Sequence, residues 1–132
     1  MKQLRWLTSS AALAIHQELI AQYGGIPGLR APDSLESALA RPKHMATYKS
    51  KVPVPELASA YAWGLLRNHP FNDGNKRIAL ASMIVFLDLN GWELTCSEAE
   101  ETAMVLRAAA GEMTERAWND WVVQRSRRQK LR

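Results

Sequence analysis

The densest group of polar residues in this sequence is HPFNDGNKR, residues 69–77, which holds a His, an Asp, two Asn, a Lys and an Arg. An almost wholly apolar run, IALASMIVFLDL, follows it directly. A solvated loop needs no such neighbour, whereas a reactive group that must be held rigidly does. The pattern therefore predicts a site at the junction of two helices, braced by a buried helix.

The start of the second of these helices has the properties of an anion site. Its first backbone N–H groups, those of Gly74, Asn75 and Lys76, have no partner within the helix. The helix end also carries roughly half a positive elementary charge, and phosphate is the natural anion for such a place. Gly74 lets the backbone approach a phosphate closely, while Lys76 and Arg77 add two positive charges.

Two further side chains of the nonapeptide point to phosphoryl or nucleotidyl transfer. Asp73 would repel a phosphate, but it is well suited to hold Mg²⁺, which bridges carboxylate and phosphate oxygens. His69 ends the preceding helix, where an imidazole can take a proton from an attacking hydroxyl. Phe71 is expected to anchor the turn, and Asn75 to fix either the phosphate or the loop itself. Each of these residues alone is typical of helix caps and turns. A site is favoured only because they come together at the start of one helix.

The composition is that of one soluble domain with a basic end. The chain has 132 residues, 47% apolar and 23% charged, which is ordinary for a globular protein. Its last eight residues, RSRRQKLR, carry five of the basic side chains and no acidic one. Without those five charges the net charge of +4 becomes −1. We therefore expect a domain over 1–124 and a basic tail over 125–132, solvated and frayed.

The cysteine count and the N-terminus both indicate a cytoplasmic protein. Cys96 is the only cysteine, which excludes an internal disulfide framework and a cysteine-based zinc site and fits a reducing compartment. The N-terminal MKQLRWLTSS lacks the apolar run of a secretory signal. The apolar run 78–89 is too short to span a bilayer, so no membrane contact is expected.

The elements that must position the motif predict an all-α fold, a compact single-domain bundle of about six helices around a buried central helix. Helices are expected at 9–23, 33–42, 56–69, 75–90, 98–111 and 115 onward. Helix 75–90 should be the central one, because it is apolar on nearly every side. The segment PKHMATYKSKVPVP is expected to be a loop or small hairpin with His44 exposed. His16 is expected to be structural or part of a target surface, and Trp118 and Trp121 to pack the last helix.

The nonapeptide resembles the signature HPFx(D/E)GN(G/K)xxR of the Fic/Doc superfamily, and it is most similar to the Doc (death-on-curing) toxins of toxin–antitoxin pairs. The resemblance extends to QYGGIPGLR at 22–30, to Arg67 and to NKRIAL with its apolar helix. It covers about residues 8–120. It implies the all-helical Fic/Doc fold, with ATP as co-substrate and Mg²⁺ as cofactor.

The resemblance also implies a role for each matched residue. His69 would handle the hydroxyl proton, Asp73 would be the Mg²⁺ ligand, and Arg67 would support catalysis. The part that binds nucleotide and phosphate would be Phe71, Gly74, Asn75, Lys76 and Arg77, with Lys76 also catalytic.

Departures from the Fic pattern favour phosphate transfer over AMP transfer. Fic adenylyltransferases have Gly in place of Lys76 and a second Arg, which holds the distal phosphate, in place of Leu80. Doc-type proteins share the Lys, lack that Arg and transfer the γ-phosphate of ATP to a Thr of elongation factor Tu, which halts translation. The resemblance therefore implies a Doc-type protein kinase, with an AMP or other NMP transferase as the alternative. Doc has Asn in place of Ala81, a difference that bears on the strength of the activity.

Restraint of such a toxin should come from another chain. The self-inhibiting motif (S/T)xxxE(G/N) of many Fic proteins is not found, since Ser97 and Glu101 have its spacing but Thr102 follows. The resemblance implies a cognate antitoxin whose C-terminal segment lies in a groove on the toxin. A second alternative is a non-catalytic binding module that contacts nucleic acid through the basic tail. Otherwise nucleic acid is expected only through the antitoxin.

Overall fold

The structure, a computed structural model, describes residues 3–130. These residues form six α-helices and one small antiparallel sheet. In chain order the elements are α1 (Ser9–Tyr23), α2 (Pro32–Tyr48), α3 (Val54–Asn68), α4 (Asn75–Leu89), β1 (Trp92–Leu94), α5 (Glu98–Ala109), α6 (Glu115–Gln124) and β2 (Ser126–Arg128). The predicted all-α fold with six helices is confirmed.

Three helices begin at a hydroxyl side chain that caps the first turn. The hydroxyl oxygens of Thr8, Ser97 and Thr114 each accept a hydrogen bond, 3.1 Å long, from the backbone N–H three residues later. Loss of such a cap typically costs about 1 kcal/mol. The predicted starts of α1, α5 and α6 are confirmed. Each start is fixed by a hydrogen bond between residues that are close in the sequence.

Helix α2 is longer than the sequence predicted. The expected end at Pro42 is wrong, since α2 continues through Pro42 to Tyr48 and the predicted loop or hairpin begins only after it. A proline inside a helix removes one backbone hydrogen bond, but Pro42 is buried on the same face as Leu35 and Ala38. Packing of this face outweighs the lost bond. His44 is exposed as expected, but it lies on a helix.

Helix α3, and not α4, is the most enclosed element among residues 3–130. Ten of its residues are buried, against six of α4. Helix α3 packs tightly on α2 at Gly64, where an added Cβ would lie 3.2 Å from the Cβ of Ala38. Helix α4 is less enclosed than its nearly all-round apolar sequence predicted, because Ile84 and Leu89 remain 37% and 38% exposed. Within the described residues no helix is long and apolar enough to cross a membrane.

Helix α6 packs on α3 through Trp118. The indole of Trp118 is fully buried, and its Nε1 donates a hydrogen bond of 3.1 Å to the carbonyl oxygen of Ser59. Its ring centroid is 5.2 Å from that of Trp121, whose Nε1 donates to Glu100 at 2.7 Å. The predicted packing role of both tryptophans is confirmed.

The basic tail is partly a β-strand. Strand β2 pairs antiparallel with β1, with Trp92 opposite Arg128 and Glu93 opposite Arg127. Arg127 forms an ion pair of 2.7 Å with Glu93, and the guanidinium of Arg128 lies 5.5 Å from the centre of the Trp92 ring. The expectation of a frayed terminus is therefore wrong for residues 126–128. Residues 131 and 132 of the predicted tail lie outside the described part.

A buried hydroxyl in α4 gives a stability prediction. Ser82 Oγ is buried and has no hydrogen-bond partner among residues 3–130. Replacing Ser82 with Ala should therefore raise the free energy of unfolding, by about 1 kcal/mol, since an unpaired buried polar group is removed. Urea denaturation measures it.

The matched control is Ser59→Ala. The Ser59 hydroxyl donates to the carbonyl of Glu56 at 2.8 Å and lies 2.7 Å from Asn119 Oδ1. This variant should lose stability. A Ser82→Ala protein that is less stable than the wild type would show that the hydroxyl has a partner in solution.

Candidate active site

The nonapeptide forms the turn between α3 and α4. Residues 69–74, here called the motif loop, start at His69, the residue after the end of α3, and end at Gly74, the residue before α4. Both residues are left-handed, with φ of 45° at His69 and 75° at Gly74. For a residue other than Gly, this backbone conformation costs about 1 kcal/mol. The turn leaves His69 exposed at one end of the loop and the start of α4 at the other.

The segment 26–31, here called the bracing segment, holds the motif loop along its length. The Arg30 guanidinium donates to the His69 carbonyl, and Leu29 and Phe71 form an antiparallel bridge. Four more bonds run from Arg30 N and Ala31 N to Pro70 O (2.8 and 2.9 Å), from Asn72 N to Gly28 O (3.1 Å) and from Asn72 Nδ2 to Pro27 O (3.1 Å). The surrounding structure thus stabilises the strained loop.

Asn75 and Phe71 close the loop from within. The side-chain oxygen of Asn75 accepts from the N–H of Phe71, and its amide nitrogen donates to the Phe71 carbonyl, both at 3.0 Å. Phe71 is buried, and its ring stacks on that of His16 with centroids 3.8 Å apart. Of the two roles left open for the Asn75 side chain, the structure places it on the loop. Phe71 is the anchor that the sequence predicted.

Asp73 is held as a charged carboxylate beside the start of α4. Its two oxygens accept backbone N–H bonds from Ile26 at 3.0 Å and from Gly74 at 2.8 Å. These two bonds, together with the nearby charge of Arg77, hold the pKa of Asp73 below its ordinary value. Asp73 is partly exposed, so its carboxylate keeps the charge and the access that a metal ligand needs.

A magnesium site at Asp73 would rely on one protein carboxylate. Within residues 3–130 no group of three or more His, Cys, Asp or Glu side chains could hold a metal ion. Mg²⁺ is commonly bound in this way, by one or two carboxylates together with substrate phosphates and water. The donor set at Asp73 therefore fits Mg²⁺ that arrives with a nucleotide.

The start of α4 is open to an anion, although one expected donor is used. The N–H of Gly74 donates to Asp73, so it is not free as the sequence predicted. Gly74 has no side chain to cap the next amides, and those of Asn75 and Lys76 lie in the first turn, where a helix provides no partner. The side chain of Lys76 is exposed. Anion binding here would rest on these two amides and Lys76.

The two arginines of the predicted site contact backbone carbonyls instead of the opening. Arg77 donates to Gly24 O at 2.9 Å and to Leu19 O at 3.5 Å, where a cation suits the end of a helix. Arg67 donates to Ala108 O at 2.8 Å, and its guanidinium lies 4.3 Å from the centre of the Trp63 ring. Arg77 thus joins α1 to the motif, whereas Arg67 is tied to the end of α5.

Comparison with known proteins identifies the family to which this arrangement belongs. The model of the Fic/DOC family matches residues 6–87, which is more than half of the chain and includes both the motif loop and the bracing segment. The chain belongs to the Fic/Doc family.

Two Doc proteins are similar to this Fic/Doc chain. The "Protein kinase doc" of Escherichia phage P1 is 32% identical over 111 residues, which cover 84% of this chain and 87% of the phage protein. The "Toxin Doc" of Mycolicibacterium smegmatis is 40% identical over 75 residues, 54% of this chain and 56% of that relative. The second similarity therefore spans about half the length of each protein.

The sequence did not reveal three residues of this Fic/Doc chain that contact the motif loop but lie far from it along the chain. His16, Ile26 and Arg30 each bond to the motif loop, although 39 to 57 residues separate them from their partners. The available signal was the glycine spacing in GGIPG. Gly28 has a φ of 108°, and a Cβ there would lie 2.9 Å from Asn72. This spacing indicated a tight loop, but not the element against which the loop packs.

Proposed function

We propose that this chain is a toxin of the Doc type that acts as a protein kinase and transfers the γ-phosphate of ATP to a protein hydroxyl. The observation that carries the proposal is the motif loop itself. It places an exposed His69 at one end and, at the other, the uncapped start of α4 with Asp73 and Lys76. The similarity to the phage P1 protein kinase supports the same chemistry.

Each end of the motif loop would have a separate task. His69 accepts the proton of the attacking hydroxyl at its ring, while the new O–P bond forms and ADP leaves. The amides of Asn75 and Lys76, with the Lys76 ammonium, hold the phosphates. Asp73 would hold Mg²⁺, which would supply positive charge to neutralise the transferring phosphoryl group. Gly74 keeps the backbone close to the phosphates.

Leu80 supports phosphate transfer over AMP transfer. It is a half-buried side chain on α4 that packs against the core, so its position provides no positive charge to hold a distal phosphate. Lys76 lies in the first turn of the same helix, where its charge acts at the anion site. A basic residue at position 76 and an apolar residue at position 80 together favour the kinase reaction. AMP or other NMP transfer is the alternative.

The proposed target is a translation factor such as elongation factor Tu, modified on a Thr in the cytoplasm. The proposed restraint is a cognate antitoxin whose C-terminal segment lies in a groove. A cleft of about 330 Å³ between α1 and the bracing segment borders the motif, since Leu13, His16 and Phe71 line it. An antitoxin segment in this cleft would touch the anchor of the motif loop. The basic tail is a weaker candidate for binding, because Arg127 is paired with Glu93.

Position-specific labelling of ATP tests the reaction. Purified protein, elongation factor Tu and Mg²⁺ are incubated with ATP labelled at either the γ- or the α-phosphate, and a reaction with excess chelator is the control. We expect label on the factor from the γ position alone. Label from the α position would establish AMP transfer and overturn the interpretation of Lys76 and Leu80. Label from neither would reject elongation factor Tu as the target.

Gly25, the residue directly before the bracing segment, gives a prediction about activity. A Cβ added at Gly25, where φ is 119°, would lie 2.7 Å from the Asp73 carboxylate and 3.1 Å from Arg77 Nη2. Gly25→Ala should therefore displace the proposed Mg²⁺ ligand and lower the rate about 10²-fold, the effect of a misplacement near 1 Å. The initial rate of γ-phosphate transfer measures it.

Gly24→Ala is the matched control. Its φ of 85° is also unfavourable for Ala, but a Cβ there meets nothing within 4 Å. Both variants should lose stability, by about 1–3 kcal/mol, and only Gly25→Ala should lose activity in its folded fraction. Equal activity losses in the two variants would show that strain, and not the displaced carboxylate, is responsible.

A further inference from the structure

We infer that His16 is a positioning residue that fixes the main chain of Asp73 and thereby sets the affinity of this site for a divalent cation. The inference rests on the proposed function, in which Asp73 is the Mg²⁺ ligand. His16 lies in α1, outside the nonapeptide, and is only 4% exposed. Because its ring is buried against the motif loop, its effect on the reaction is expected to pass through that loop.

The contact between His16 and Asp73 defines the direction of the hydrogen bond. His16 Nε2 lies 2.8 Å from the backbone carbonyl oxygen of Asp73. A carbonyl oxygen can only accept, so Nε2 must carry the proton and donate. The bond holds the peptide unit that leads from Asp73 into Gly74 and the start of α4.

The imidazole ring is itself held in place by stacking. Its plane is 11° from that of Phe71, with centroids 3.8 Å apart. A Cβ added at Gly74 would lie 3.5 Å from His16 Nε2, so the ring also lies directly beside the first residue before α4. Phe71 and the Asp73 carbonyl therefore fix the ring at two places within one loop.

His16 completes the fixation of Asp73. The two carboxylate oxygens accept bonds from Ile26 and Gly74, and the main-chain carbonyl accepts from His16. Without the His16 bond, the carboxylate could still form its own contacts, but the backbone that carries it could rotate. Partners that orient a metal ligand in this way typically affect metal affinity 10- to 100-fold.

A polar ring in this position needs its hydrogen bond. A buried donor without a partner is costly, and an apolar side chain would pack on Phe71 without that cost. The combination of burial, a stacked orientation and one bond to the residue proposed to hold the metal therefore indicates a positioning role.

The test uses two substitutions at His16, one that removes the hydrogen-bond donor and one that removes the aromatic ring. His16→Phe keeps an aromatic ring against Phe71 but removes the donor. His16→Gln keeps a donor, since its amide nitrogen reaches the place of Nε2, but removes the ring. His44→Gln, on the exposed side of α2, is the matched control. Mn²⁺ is titrated into each full-length protein in the presence of ADP and followed by water-proton relaxation, and thermal melting of each variant is recorded.

The expected result separates positioning from packing. His16→Phe should bind Mn²⁺ 10- to 100-fold more weakly, whereas His16→Gln should stay close to the wild type in affinity. A purely structural role predicts a lower melting temperature with unchanged affinity in the folded protein, which would overturn the inference. Wild-type protein that binds no Mn²⁺ would also overturn the inference. If that protein shows no Mg²⁺-dependent label transfer either, the proposed function itself is overturned.

Discussion

Substitution of His69 by Ala is expected to lower the rate of γ-phosphate transfer by about 10²–10⁴-fold, the usual contribution of a general base. The protein should remain folded, because the His69 side chain is exposed after the end of α3. The contacts that hold this residue use its backbone, since its N–H donates to Leu65 O and its carbonyl accepts from Arg30. Initial rates with labelled ATP measure the loss, and circular dichroism checks the fold.

A second variant at the same position separates the chemistry from the backbone strain. His69 has a φ of 45°, which Gly adopts more readily than Ala. His69→Gly should therefore be more stable than His69→Ala and equally inactive. Recovery of activity in the Gly variant would show that the loop geometry, and not the imidazole, limits the reaction.

Substitution of Trp118 by Ala is expected to destabilise the protein by about 3–5 kcal/mol. The indole is fully buried where α6 meets α3, and its loss leaves both a large cavity and the Ser59 carbonyl without its donor. A small domain has only about 5–15 kcal/mol of stability in total. Urea denaturation, followed by circular dichroism, measures the change in the free energy of unfolding.

The packing and hydrogen-bonding parts of this loss can be separated. Trp118→Phe keeps an aromatic ring and removes the Nε1 donor, so it should cost less than Trp118→Ala. Val123→Ala, at a residue of α6 that is 41% exposed, should change stability by less than about 0.5 kcal/mol. If Trp118→Ala cost no more than Val123→Ala, the contact between α3 and α6 would not be part of the core.

Features governed by local chemistry could be predicted from the sequence. Ser97 and Thr114 begin helices because their hydroxyls bond to amides three residues later. The motif loop was likewise placed between two helices, because Gly74 and the residues around it form a recognisable turn. These signals lie within a few residues of one another, so no knowledge of the tertiary structure was needed.

Features governed by tertiary packing could not be predicted in this way. Helix α2 continues through Pro42 because its buried face packs in the core, and β2 forms because β1 offers a partner. The roles of His16 and Arg30 depend on α1 and the bracing segment meeting the motif loop. Arg67 lies two residues before the nonapeptide in the sequence, but its hydrogen bond is to α5. In each case the deciding contact lies far along the chain.

The bonds that shape the motif loop have a consequence for the moment at which the proposed toxin becomes active during its synthesis. His16 and Asp73 are 57 residues apart, and Arg30 and His69 are 39 apart. The nonapeptide therefore contains the reactive groups, but contacts with distant parts of the chain are needed to arrange them. A newly made chain acquires the site only after α1 has docked on α4. Regions of a protein can open before it unfolds globally. Detachment of α1 alone would therefore inactivate the proposed toxin while most of its helices remained folded.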